Sequence, residues 1–191
     1  MQDSTNTADY LKLNTPWTYG HIQVTYHDPD DSAKVTWDVH PYRQFFTVED
    51  MWKVLNNTMY RVTTVGSKKL IEWKYLLKSW GLNEVYFFRY ESYPKWEFLK
   101  ANTAIKSVCE MKISNPSDKF VQSLILLVIG ETIASAENII GVRIKPSSWG
   151  GDVRLWITDI NSFDKIEGFL QGIWNEEPTT AKMICTKLVL Y

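Results

Sequence analysis

The chain has 191 residues, 45% of them hydrophobic and 23% charged, with a formal net charge of −1. That length and balance fit one globular domain able to bury a core. The near-zero charge excludes a protein that grips long nucleic acid by its backbone, which needs a basic excess, but leaves open a ligand with one base and a few phosphates.

Residues 1–14, rich in Ser, Thr, Asn and Asp, read as a flexible N-terminal tail, and residues 15–191 as a single domain. The tail carries no apolar leader stretch. The longest apolar run, Leu124–Ile129, is six residues, far short of a membrane span, so a soluble intracellular protein is expected. Alternation in His21–His27 predicts a half-buried strand. Asp28–Ser32 has turn chemistry, and Ala33–Val39, with Trp37, reads as the next strand. Thr47 caps a helix whose first turn holds Glu49 and Asp50, with Val48, Met51, Trp52 and Leu55 at helical spacing.

Lys69–Trp80 has a helical apolar period that Gly81 can stop. Val85–Tyr90 is strand-like, a loop through Pro94 leads to Lys95, Trp96 and Glu97, and Ile105–Ile113 alternates. A helix is predicted from Asp118 to about Ala134. Strands at Ile139–Lys145 and Val153–Thr158 flank a Gly-rich loop, Ser162 caps a last helix to about Glu176, and Met183–Leu190 is a final strand. Short adjacent strands among helices, without βαβ alternation, predict an α+β fold: an antiparallel sheet with helices on one face.

No catalytic or phosphate-loop motif is present in the sequence. Cys109 and Cys185 lie far apart, and His21, His27 and His40 lack ligand spacing, so neither a disulfide framework nor a metal is expected. No cofactor and no enzymatic activity are expected either. The aromatic content stands out instead. Nine Trp and ten Tyr exceed what a core of this size uses, and surplus rings are candidates for stacking surfaces and interface anchors.

Four segments give those rings a context. They are Phe45-Phe46-Thr47-Val48-Glu49-Asp50-Met51-Trp52, Pro94-Lys95-Trp96-Glu97, Val128-Ile129-Gly130-Glu131-Thr132 and Arg154-Leu155-Trp156-Ile157-Thr158. In order and approximate spacing they resemble the hallmark segments of the cap-binding translation initiation factor 4E family. The resemblance implies a curved antiparallel sheet of about seven to eight strands, backed on its convex face by helices, with the messenger-RNA cap on the concave face. It makes Trp96 and Trp37 the two halves of an aromatic sandwich around 7-methylguanine, although Trp37 lies slightly nearer Thr47 than the family pattern has it. Glu97 would take the guanine edge and Trp156 would lie against the N7-methyl group. The phosphate set is less regular; Arg143, Lys145, Arg154 and Lys106 are the candidates.

The chemistry is coherent without the family. N7 methylation makes the purine cationic, so facing indoles gain cation–π attraction beyond stacking, at roughly 1–3 kcal/mol per base contact. A carboxylate can accept from N1–H and the exocyclic amine together.

The resemblance further implies capped mRNA and a 4G-type scaffold or 4E-binding protein as partners, the latter two docking a helix on Val48, Trp52 and Gly130 of the convex face. Gln122 and Ser123 depart from the family pattern there, and the segment between Trp52 and Trp96 is longer than usual. The implied function is cytoplasmic, with a nuclear pool allowed: recruitment of capped mRNA for translation through a scaffold. Its rivals are a cap-binding repressor and an interaction protein of the same fold that does not bind caps.

Overall fold

The computed structural model describes residues 11–26, 35–58, 62–65, 68–71, 84–89, 92, 94, 108–145, 151–175 and 185–189. Seven strands form one curved antiparallel sheet: β1 (Lys12–Tyr26), β2 (Val35–Thr47), β5 (Glu84–Arg89), β6 (Cys109–Ser114), β7 (Ile139–Lys145), β8 (Asp152–Ile157) and β9 (Cys185–Val189). Their spatial order is β2-β1-β5-β7-β8-β6-β9. A separate ribbon pairs β3 (Val62–Val65) with β4 (Lys68–Ile71). Among the described residues three helices accompany the sheet: α1 (Val48–Thr58), α2 (Asp118–Ile129) and α3 (Phe163–Asn175). The α+β architecture agrees with the sequence reading.

The inner strand β5 shows how one sequence supplies two faces. In Glu84-Val-Tyr-Phe-Phe-Arg89, Val85 and Phe87 join the main core, while Tyr86 and Phe88 join a smaller cluster. Successive strand residues point to opposite faces, so a strand buried on both sides reads as a continuous apolar run. The main core takes Met51, Val54 and Leu55 from α1 and Phe120, Leu124 and Val128 from α2. From α3 it takes Phe163, Ile166, Leu170 and Trp174, with the Trp174 ring edge-on to Phe120 at 4.8 Å. The smaller cluster (Ile22, Tyr86, Phe88, Val108, Ile140 and Trp156) draws on no helix and marks the opposite face.

Capping explains the helix limits. Thr47 Oγ1 accepts from Asp50 N at 3.2 Å, as its N-cap reading requires, and Ser117 Oγ accepts from Phe120 N at 3.0 Å to open α2. α2 stops at Ile129, short of the expected Ala134. Thr132 N donates to Leu127 O, and Glu131 N to Val128 O, the two bonds of a Schellman ending. Glu131 holds the left-handed position at φ 54°, which a non-glycine residue adopts at a cost, and Arg89 Nη1 grips its carboxylate at 2.8 Å. α3 begins at Phe163, because Ser162 lies inside a preceding 3-10 turn opened by Asp159, whose Oδ1 accepts from Asn161 N.

Other boundaries move as well. β1 begins at Lys12, inside the segment expected to be a tail, and its partner β2 runs on to Thr47 and leads directly into α1. Lys69–Ile71, expected in a helix, belongs to β4, where Val62 faces Ile71 and Thr63 faces Leu70. Cross-strand pairing with a β-branched partner overrides the local helical period there. The rest of that predicted helix and the Asp28–Ser32 turn lie outside the described residues. No helix among the described residues is long and apolar enough to cross a membrane.

Candidate functional site

The two expected base-binding residues that the structure describes, Trp37 and Trp156, lie on the sheet face away from the described helices. Trp37 stands on the edge strand β2, opposite Val24 of β1, with 48% of its surface exposed. Trp156 lies four strands away on β8, flanked by Gly141 of β7 and Glu110 of β6, and is only 3% exposed. Its indole Nε1 donates to Glu110 Oε2 at 3.0 Å, and Phe88 meets it edge-to-face at 5.4 Å.

Arg143 connects these two rings. Its guanidinium carbon lies 5.7 Å from the centroid of Trp37 and 5.7 Å from that of Trp156, within cation–π range of both. The side chain is buried, and Glu84 holds it: Arg143 Nε donates to Glu84 Oε2 at 2.9 Å, and Nη2 donates to the same oxygen. Arg143 Nη1 also lies 3.9 Å from Glu110 Oε2. Strand periodicity explains the grouping, because Glu84, Arg143, Glu110 and Trp156 all fall on the face that carries Tyr86 and Phe88.

The remaining charges extend this network. Arg154 Nη1 donates to Glu110 Oε1 at 3.2 Å, while its Nη2 lies 3.7 Å from Asp152 Oδ2. Lys112 Nζ pairs with that same Asp152 oxygen at 3.2 Å, and Lys145 Nζ lies 3.9 Å from Glu84 Oε1. Four cations (Arg143, Lys145, Arg154 and Lys112) thus meet three carboxylates (Glu84, Glu110 and Asp152), a surplus of a single positive charge. Among the phosphate candidates the exposures differ sharply. The Lys145 side chain is 42% exposed, that of Arg154 22% and that of Arg143 9%.

Trp96, Glu97 and Lys106 lie outside the described residues. On the other face of the sheet, Val48 packs partly buried against the main core, Trp52 is 40% exposed on α1, and Gly130 is exposed at the end of α2. Among the described residues there is no group of three or more His, Cys, Asp or Glu side chains that could hold a metal.

Sequence reasoning missed Glu84 and Glu110. A carboxylate in an alternating strand normally faces water, and Glu110, between Cys109 and Met111, fits that pattern. The available signal was the surplus of bulky rings and arginines on the same set of strands, which can cover such a carboxylate.

No curated protein matches the chain by sequence. Solved structures do match in fold. A schistosome eIF4E complexed with m7GpppA and a 4E-binding protein superimposes with a TM-score of 0.61 at 21% identity, covering 95% of this chain and 89% of that one. The C. elegans eIF4E-3 in complex with the 4E-binding protein Mextli and a cap analog gives 0.60 at 17% identity, with coverages of 94% and 92%. Ascaris suum eIF4E-3 with an m2,2,7G cap gives 0.57 at 19% identity, with coverages of 95% and 98%. The sequence profile described as eukaryotic initiation factor 4E matches residues 12–176, and with most of its length so matched the chain belongs to the eukaryotic initiation factor 4E family.

Proposed function

We propose that this protein binds the 7-methylguanosine cap of messenger RNA on the sheet face away from the described helices, without catalysing a reaction, and brings the capped message to a 4G-type scaffold for translation in the cytoplasm. The observation that carries the reading is the half-exposed Trp37 indole, with a cation held over it, beside the buried Trp156 and two buried carboxylates. In family members solved with cap compounds the same fold holds m7GpppA, m7G or m2,2,7G. Trp37 supplies one stacking wall, and Trp96 and Glu97 are assigned the opposing wall and the guanine edge. Trp156, 3% exposed, offers the N7-methyl group no more than a strip of its ring. Lys145 is the described cation best able to reach a phosphate, with Lys106 as its assigned companion.

Titration with 7-methyl-GTP is expected to quench tryptophan emission, and GTP is expected to do so far less, because it lacks the cationic base. Equal responses to the two nucleotides, or none to either, would refute the assignment. Trp52 on α1 is assigned to the partner helix, by the scaffold or by a 4E-binding protein. A cap-binding repressor is the second reading, favoured by Gln122 and Ser123 at half-buried positions of α2, where the family pattern differs.

A further inference from the structure

Arg143 is placed unlike a phosphate ligand. Its side chain is 9% exposed, Nε and Nη2 donate to Glu84, Nη1 lies 3.9 Å from Glu110, and its cation lies 5.7 Å from the centroids of both indoles. A guanidinium with two of its nitrogens already held by one buried carboxylate oxygen has fewer donors left to give a phosphate. It is, however, well suited to hold rings: planar, permanently charged and within cation–π distance of both. Each carboxylate has a further task. Glu110 also takes the Trp156 N–H, so the same group fixes the second indole and helps to fix the cation lying over it.

On this basis, and resting on the cap-binding reading above, we infer that Arg143 is a positioning residue. Locked by Glu84 and Glu110, it braces Trp37 against Trp156, so that the exposed indole is presented to the base in one orientation. Among the described strands Trp37 sits at the end of the sheet, with β1 as its neighbour, and a brace from β7 adds a second support. Phosphate binding is then left to other cations, Lys145 foremost.

The inference separates the two halves of the ligand. In the double variant Arg143→Met, Glu84→Gln, which leaves no unpaired charge from that pair, affinity for 7-methylguanosine and for 7-methyl-GTP is expected to fall by the same factor, about tenfold, equivalent to roughly 1.4 kcal/mol. Lys145→Ala is expected to weaken the triphosphate alone. Arg143→Lys keeps the charge but not the fork, and should recover only part of the loss. A partly unfolded sample would also lower both apparent affinities equally, so the binding-competent fraction of each variant is first fixed by its titration stoichiometry and its unfolding midpoint, and only the affinity of that fraction is compared. A loss confined to the triphosphate would make Arg143 a phosphate ligand and overturn the inference, as would no loss at all.

A readout free of ligand keeps the inference separate from the cap reading. The emission of Trp37, taken as the difference between chains with and without Trp37→Phe, should shift to the red and become more open to acrylamide once Arg143 is replaced. If the parent protein binds neither nucleotide, the cap reading falls and this measurement alone decides the brace. An unchanged Trp37 emission would overturn it.

Discussion

The Trp156 indole N–H donates to the Glu110 carboxylate at 3.0 Å, between residues that face each other across β8 and β6. The same carboxylate accepts from Arg154 and lies close to Arg143, so it closes both ends of the network on the sheet face away from the described helices. Removing one partner from a buried charged network leaves the others uncompensated. Glu110→Ala is therefore expected to cost about 3 kcal/mol, read as a lower midpoint in urea unfolding. Glu110→Gln keeps an acceptor for the indole and should cost clearly less. Equal losses in the two variants would mean that charge, rather than hydrogen bonding, carries the effect.

Gly141 faces Phe88 across β7 and β5, and a Cβ at that position would lie 2.3 Å from the phenyl ring. The ring is fully buried and has no room to retreat. Gly141→Ala should destabilise the fold by about 1–3 kcal/mol, the usual cost of overpacking. Calorimetry of the variant measures it, and a stability equal to that of the parent would show that the sheet can bow here.

His21 stacks on His40 at 4.6 Å and on Tyr42 at 4.8 Å. Burial first, and the neighbouring His40 second, hold its pKa below the ordinary imidazole value, which is about 6.5. Above that value folded and unfolded chains are both neutral at this site. As the pH falls through it, the unfolded chain takes up a proton that the folded one does not accept until its own lower pKa is reached. Stability should therefore decline with falling pH across that window and level off beneath it. In His21→Phe the decline should be shallower, as followed by unfolding midpoints between neutral and mildly acid pH.

Trp52 is 40% exposed on a helix whose neighbouring Met51 and Leu55 are buried. Trp52→Ala is expected to lower stability by about 1–2 kcal/mol and to abolish capture of a helical scaffold or 4E-binding peptide. Ser117→Ala, which removes the α2 cap at a cost of about 1 kcal/mol, serves as the comparison of similar stability and should retain capture. Equal retention by both variants would move the partner site away from α1.

Much of the fold was legible because local signals and tertiary structure agreed. Ile139–Lys145 forms the strand predicted there, Thr47 caps α1 as expected, and α2 begins at Asp118 as expected, with Ser117 as its cap. The sequence reading failed where long-range partners decide. Lys69–Ile71 pairs with Val62–Val65 despite its helical period. α2 ends at a left-handed Glu131, which no propensity favours but which Arg89 secures from β5. At the site, Trp156 was legible as a ring in a motif-like segment, and Trp37 by its order and approximate spacing before Thr47. The link between them was not, because Glu84, Glu110 and Arg143 lie on three strands brought together by the sheet order alone.

That sheet order also bears on how often the site is ready for a ligand. β5 pairs with β1 only from Trp17 to Ile22, whereas β1 continues to Tyr26 against β2 alone among the described strands. Trp37, opposite Val24, therefore rides on a two-stranded extension beyond the wider sheet, and such ribbons are marginally stable by themselves. Local opening there need not unfold the core. Apparent affinity for a base would then equal the intrinsic affinity scaled by the closed fraction of this ribbon. Substitutions far from any ligand that stiffen or fray the β1–β2 tip would tune binding through occupancy of the closed state, and amide exchange at Thr36–Val39 would report that population directly.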